Sequence, residues 1–160
     1  MKILLLFPLY SLIWSQIEVG SENTLDVMTW NLKAFPINGT ETVDYIDDLI
    51  TSSHLDIIAL QEISNNDYFN QLIDDLNDSE SQYSWIGYRA EESNWALAYI
   101  INTSTIDIIQ EPYTILNSYS NYFASREPYV LEITFSNEQF FIINNHYKCC
   151  GDGIIQNDEW

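Results

Sequence analysis

Residues 55–62, LDIIALQE, are the most restrictive stretch of this 160-residue chain. Apolar side chains run on consecutive rather than alternate positions, the pattern of a β-strand covered on both faces. Such a strand needs a layer on each side, and candidates flank it. Residues 42–52 (TVDYIDDLITS) set Val43, Ile46, Leu49 and Ile50 at helical spacing. Residues 66–77 (NDYFNQLIDDLN) do the same with Tyr68, Phe69, Leu72, Ile73 and Leu76. Residues 25–31 (LDVMTWN) read as an earlier strand. Further strand-like runs cover residues 84–89, 95–101, 105–110, 129–135 and 139–146, bounded by Asn, Ser and Glu turns. Strand, helix, strand, helix and then several strands predict a layered α/β domain containing a mixed sheet.

Composition narrows the class. With 46% hydrophobic and 14% aromatic residues, the chain is no disordered tail, and its length suits one domain. Five bases against 24 acids give a net charge of −19, which repels nucleic acid at long range. A phosphate-bearing substrate therefore requires a bound cation, or the few bases gathered at one place. At the N-terminus, Lys2 precedes the apolar run ILLLFPLYSLIW. It is short for a bilayer span, which needs about 20 residues. It fits a secretory signal peptide over residues 1–15, with the mature chain starting at Gln16 and no membrane span after cleavage. Export predicts a secreted, extracellular or periplasmic protein in which disulfides can form.

Three apolar runs end in residues that can do chemistry: LDVMTW at Asn31, DIIALQ at Glu62 and FFIINN at His146. Ligands of α/β sheets gather beyond the carboxyl ends of strands, so the three could share one site. Taken singly, each has a plain structural alternative: a turn-forming asparagine, a solvated glutamate and a hydrogen-bonded structural histidine. His54 reads as a turn residue. A zinc site from His146, Cys149 and Cys150 is disfavoured, because adjacent cysteines suit a tetrahedral site poorly and a fourth ligand is lacking.

In combination, "TWNL", "ALQEI", "SREPYVLEI" and "FIINNHYK", in this order, resemble the endonuclease/exonuclease/phosphatase superfamily, the group of the pancreatic-type deoxyribonuclease. The similarity runs from Leu25 to about Gly153. It implies a four-layer α/β/β/α sandwich and hydrolysis of phosphoester bonds with Mg²⁺, or with Mn²⁺ or Ca²⁺. It implies Glu62 as the metal-binding carboxylate and Asn31 as a residue sharing the metal site or touching the phosphate. It implies Arg126, in "REP", beside the substrate phosphate, and His146 at the scissile phosphate as a contact or proton source. The chemistry is coherent on its own terms. Mg²⁺ takes hard oxygen ligands and is often held by one or two carboxylates. Arginine matches phosphate oxygens, and histidine titrates nearest neutrality. Lys33, Arg126 and Lys148, three of the five bases, lie in or beside these motifs.

The family pattern also sets expectations for what this chain lacks. Asn94, with Glu91 and Glu92 nearby, stands where the family places a glutamate that orients the histidine. The Asp-x-Asn and Asp-His motifs expected after His146 are absent, and Asp152, Asp158 and Glu159 do not replace them by spacing. Residues 16–160 therefore read as the front half of the domain, with the disulfide partners of Cys149 and Cys150 in the other half. The expected function is a secreted metal-dependent phosphodiester hydrolase, foremost a nuclease acting on DNA or RNA, with no stable protein partner implied. The alternatives are a phosphatase or sphingomyelinase-like lipid phosphodiesterase, or a non-catalytic binding module. The 160 residues alone are expected to be inactive, with unpartnered apolar faces on residues 129–135 and 140–143.

Overall fold

The computed structural model describes residues 19–21, 23–78, 82–90 and 95–147. Residues 1–15, expected to be a signal peptide, and Glu91, Glu92, Asn94, Lys148, Cys149, Cys150, Asp152, Asp158 and Glu159 lie outside the described residues. The chain runs β1 (Val27–Phe35), α1 (Thr40–Thr51), β2 (Ile57–Ile63), α2 (Asn66–Leu76), β3 (Trp85–Arg89), β4 (Ala96–Asn102) and β5 (Asp107–Thr114). A 3-10 segment, Asn117–Phe123, precedes β6 (Tyr129–Phe135) and β7 (Glu138–Asn144).

The strands form two sheets. The first, ordered β1-β2-β4-β3, is mixed: β1 and β2 are parallel, and β4 is antiparallel to both β2 and β3. The second, ordered β5-β6-β7, is wholly antiparallel. As the unbroken apolar run requires, β2 is covered on both faces. Ile58 and Leu60 join a helix-side core with Phe35, Val43, Ile46, Ile50, Phe69 and Leu72. Ile57 and Ala59 join an inter-sheet core with Leu97, Tyr99, Ile101, Leu131 and Ile133. Burying each large aliphatic side chain contributes about 1.5–3 kcal/mol. Helices, first sheet and second sheet make three layers of the α/β/β/α sandwich. The outer face of the second sheet, with Ile109, Phe141 and Ile143 exposed, carries no α-helix among the described residues.

Several boundaries differ from the sequence pattern. β1 does not stop at Asn31 but continues through a register shift to Phe35. β5 runs on to Thr114, and the following 3-10 segment has no hydrophobic period to announce it. Leu49 is exposed, because Val43, Ile46 and Ile50 complete the buried stripe of α1 and leave position 49 on its flank. β6 is not left bare: Tyr129, Val130, Leu131 and Ile133 are buried. His54 is exposed, in an isolated bridge with Gly20.

Polar side chains fix the ends. Asn65 caps α2 by accepting from Tyr68 N–H at 3.1 Å. At the other end Asn77 donates to Ile73 O (2.7 Å) and Trp85 O (2.8 Å) and accepts from Trp85 N–H (2.8 Å), pinning β3 to the helix. The contact between α2 and β3 is close enough to require glycine. A Cβ on Gly87 would lie 2.6 Å from Ile73 Cγ1 and 2.9 Å from Phe69 Cε1. Gly87→Ala should therefore destabilise the fold by about 1–3 kcal/mol through overpacking. Urea unfolding measures this, and an unchanged midpoint contradicts the packing described.

Candidate active site

The three residues converge. Asn31 stands within β1 just before its register shift, Glu62 lies near the end of β2, and His146 follows β7 by two residues. Arg126 enters from the loop between the 3-10 segment and β6. Asn31 Nδ2 donates to Glu62 Oε1 at 3.0 Å, and Ala34 N–H donates to Glu62 Oε2 at 3.1 Å. His146 Nε2 lies 3.6 Å from Glu62 Oε1, and Arg126 Nη1 lies 3.1 Å from His146 Nδ1. All four site residues expected from the sequence thus stand in one chain of contacts: Arg126, His146, Glu62, Asn31.

The backbone here is unusual. Glu62 has φ 64°, and Lys33 and Ala34 have φ 46° and 60°. These left-handed conformations disfavour side-chain-bearing residues, cost about 1–3 kcal/mol each, and cluster where strands are re-aimed for function. The register shifts beside them turn the Glu62 carboxylate toward β1 and let Ala34 N–H reach it.

Protonation follows from donor chemistry. Arginine only donates, so His146 Nδ1 accepts, and the neutral ring carries its proton on Nε2, facing Glu62. Burial, followed by the Arg126 charge, lowers the His146 pKa below its ordinary value, while Glu62 pulls it upward. Neutral imidazole is therefore the favoured form near pH 7. Asn31 Oδ1 accepts from Lys33 N–H at 2.8 Å, which fixes its amide nitrogen toward Glu62. In this arrangement Asn31 orients the carboxylate.

One further cation lies beside the cluster, outside the sequence motifs. Arg89, at the end of β3, donates from Nη2 to Ile63 O at 3.2 Å, next to Glu62. Its signal in the sequence was a base closing an apolar strand in a chain with five bases. Among the described residues the lysines and arginines are Lys33, Arg89 and Arg126, and all three lie on segments that carry the cluster. Arg89 and Arg126 also line a cleft of about 420 Å³ with Tyr88, Tyr113, Glu111 and Glu127. Among the described residues, no three acidic, histidine or cysteine side chains come together as a ready metal cage. The hard-oxygen chemistry present is one oriented carboxylate, which fits an ion that keeps most of its waters, as Mg²⁺ does.

The geometry sets a titration. In metal-free protein, His146 should titrate below the usual value of about 6.5. Arg126→Gln should raise it by removing a like charge, and Glu62→Gln should lower it further. Because the folded value is depressed, His146 contributes stability above the unfolded pKa, and that stability is lost as pH falls through the folded one. NMR titration of the ring checks this. A value unmoved by Arg126→Gln contradicts the contact.

No family model and no curated protein matches the sequence. Solved structures do. TDP2 from D. rerio, complexed with single strand DNA product, superposes with a TM-score of 0.61 at 15% identity, covering 81% of this chain and 48% of that one. TDP2 from C. elegans gives 0.58 at 20% identity, covering 75% and 34%. Its truncated form gives 0.60 at 19% identity, covering 78% and 46%. The chain thus spans about half the length of these structures, or less. It has, over that span, the fold of the endonuclease/exonuclease/phosphatase superfamily to which TDP2 belongs.

Proposed function

We propose that this chain carries the Glu62 half of a metal-dependent phosphodiester hydrolase, nuclease-like, acting on nucleic acid. The observation that carries the proposal is the contact chain Arg126–His146–Glu62–Asn31 where β1, β2 and the segment after β7 converge, with Glu62 held in a left-handed conformation. The fold shared with TDP2, one structure of which contains a single-strand DNA product, supports a nucleic-acid phosphodiester as the substrate class. Export without residues 1–15 is part of the proposal, on the strength of the charged-then-apolar N-terminus.

Each residue has a task. Glu62 holds the divalent cation, and Asn31 and Ala34 N–H keep its carboxylate aimed. Such an ion, when bound, polarises a phosphoryl oxygen and offsets developing charge. Arg126 offers planar donors to the non-bridging phosphate oxygens. His146, neutral with its proton on Nε2, donates that hydrogen bond to a phosphate oxygen, while Arg126 fixes the ring through Nδ1. Because no three acidic, histidine or cysteine side chains gather among the described residues, and the chain spans 48% of the matched TDP2 structure, activity is proposed for a complete protein and not for these residues alone.

Assays of the complete protein on DNA, RNA, sphingomyelin and a simple phosphodiester, with Mg²⁺ or Mn²⁺, test the reading. Glu62→Gln should remove most metal-dependent turnover while leaving the fold intact. His146→Ala should cost about 10²–10⁴-fold. Near-normal turnover by Glu62→Gln refutes the assignment. Preferred cleavage of sphingomyelin transfers the site to lipid phosphodiesters, and no turnover on any substrate favours a binding module.

A further inference from the structure

The 3-10 segment Asn117–Phe123 buries none of its residues, yet carries three aromatic rings. Tyr119 and Tyr122 are 56% and 71% exposed, and Tyr147, beside His146, is 67% exposed. The rings form two pairs joined by consecutive residues Tyr122 and Phe123. Tyr119 lies 6.3 Å from Tyr122 at an interplanar angle of 47°. Phe123, the next residue, lies 6.2 Å from Tyr147 at 35°. The segment is bracketed by left-handed residues, Leu116 (φ 61°) on one side and Ala124 and Ser125 (φ 53° and 57°) on the other. It is tied to the site by Arg126 N–H, which donates to Phe123 O at 3.1 Å. A strained segment that presents rings to solvent contributes little to the core and needs another explanation.

Charge supplies it. A nucleic-acid strand is ordinarily held along its phosphates by many lysines and arginines. This chain has five in all against 24 acids. The three among the described residues, Lys33, Arg89 and Arg126, lie on segments that carry the cluster, and three bases can meet at most about three phosphates. The remaining grip must come from groups indifferent to charge. Aromatic rings that stack on bases meet that need, and they act only on bases not already stacked in a duplex.

We propose that Tyr119, Tyr122, Phe123 and Tyr147 form a stacking platform for unpaired nucleobases, leading a single strand to Arg126 and His146. This rests on the reading of the site as one for nucleic-acid phosphodiesters. A zwitterionic lipid surface is the competing partner for exposed tyrosines.

Binding is measured with metal removed by EDTA, using the full chain. The probes are a labelled single strand of about 12 nucleotides, its duplex and phosphatidylcholine vesicles. The single strand should bind more tightly than the duplex. Tyr122→Ala and Tyr147→Ala, both at exposed positions, should each weaken it about tenfold, and the corresponding phenylalanine variants should not. Raising salt from about 50 to about 200 mM should weaken it by no more than about twentyfold, as for three phosphate contacts. Alanine variants that bind like the parent, a salt dependence of a thousandfold or so, or ring-dependent binding of vesicles in place of the strand would each overturn the platform. Ring-dependent binding in a complete protein that never cleaves leaves the platform standing and removes the hydrolase. Cleavage with ring-independent binding does the reverse.

Discussion

The structure depends on one buried polar junction between its sheets. Asn144, the last residue of β7, donates from Nδ2 to Leu60 O at 2.9 Å and Ala98 O at 3.1 Å, both on the first sheet. Its Oδ1 accepts from Gln61 Nε2 at 2.7 Å, and its backbone N–H donates to the Tyr99 hydroxyl at 2.9 Å. That hydroxyl, kept protonated by burial, lies 2.8 Å from Tyr129 O and 2.9 Å from Ile142 O on the second sheet. Apolar faces alone can slide, whereas each unmade buried hydrogen bond costs about 1–3 kcal/mol. The junction therefore fixes one register between sheets. Gln61 immediately precedes Glu62, and Asn144 lies two residues before His146, so the same contacts that lock the sheets set the carboxylate opposite the imidazole.

Order in the core permits strain at its rim. Glu62, Lys33 and Ala34 hold left-handed conformations at the ends of two adjacent strands, and the well-packed β2 and β4 behind them absorb that cost. The strain turns a carboxylate that would point along the sheet into one gripped by Asn31 and Ala34 N–H. Charge follows the same logic. A net charge of −19 keeps polyanions away in general, while Arg126 contacts His146, Arg89 bonds the carbonyl of Ile63 beside Glu62, and Lys33 lies on the segment whose backbone reaches Asn31.

Much of this was legible in the sequence. The unbroken apolar run of β2 required two covering layers, helical spacing marked α1 and α2, and the polar residues closing three apolar runs marked the site. What escaped depends on distant partners. Gln61 and Asn144 are 83 residues apart, and nothing local distinguishes a junction amide from a turn amide. The register shift beyond Asn31 arises from pairing with β2, so β1 outran its apparent end. Arg89 gains its meaning only when β3 is brought beside Ile63. Leu49 kept helical spacing but lay outside the stripe that α2 and the sheet could cover.

In the proposed function Glu62 holds a divalent cation within reach of His146. The chain has two histidines, His54 and His146, and only His146 adjoins Glu62. Paramagnetic Mn²⁺ added to the labelled protein should broaden the His146 ring signals, and Glu62→Gln should abolish that broadening while leaving any effect on His54 unchanged. If His146 broadens equally in the Glu62→Gln variant, the cation is not held by Glu62 and the functional assignment fails.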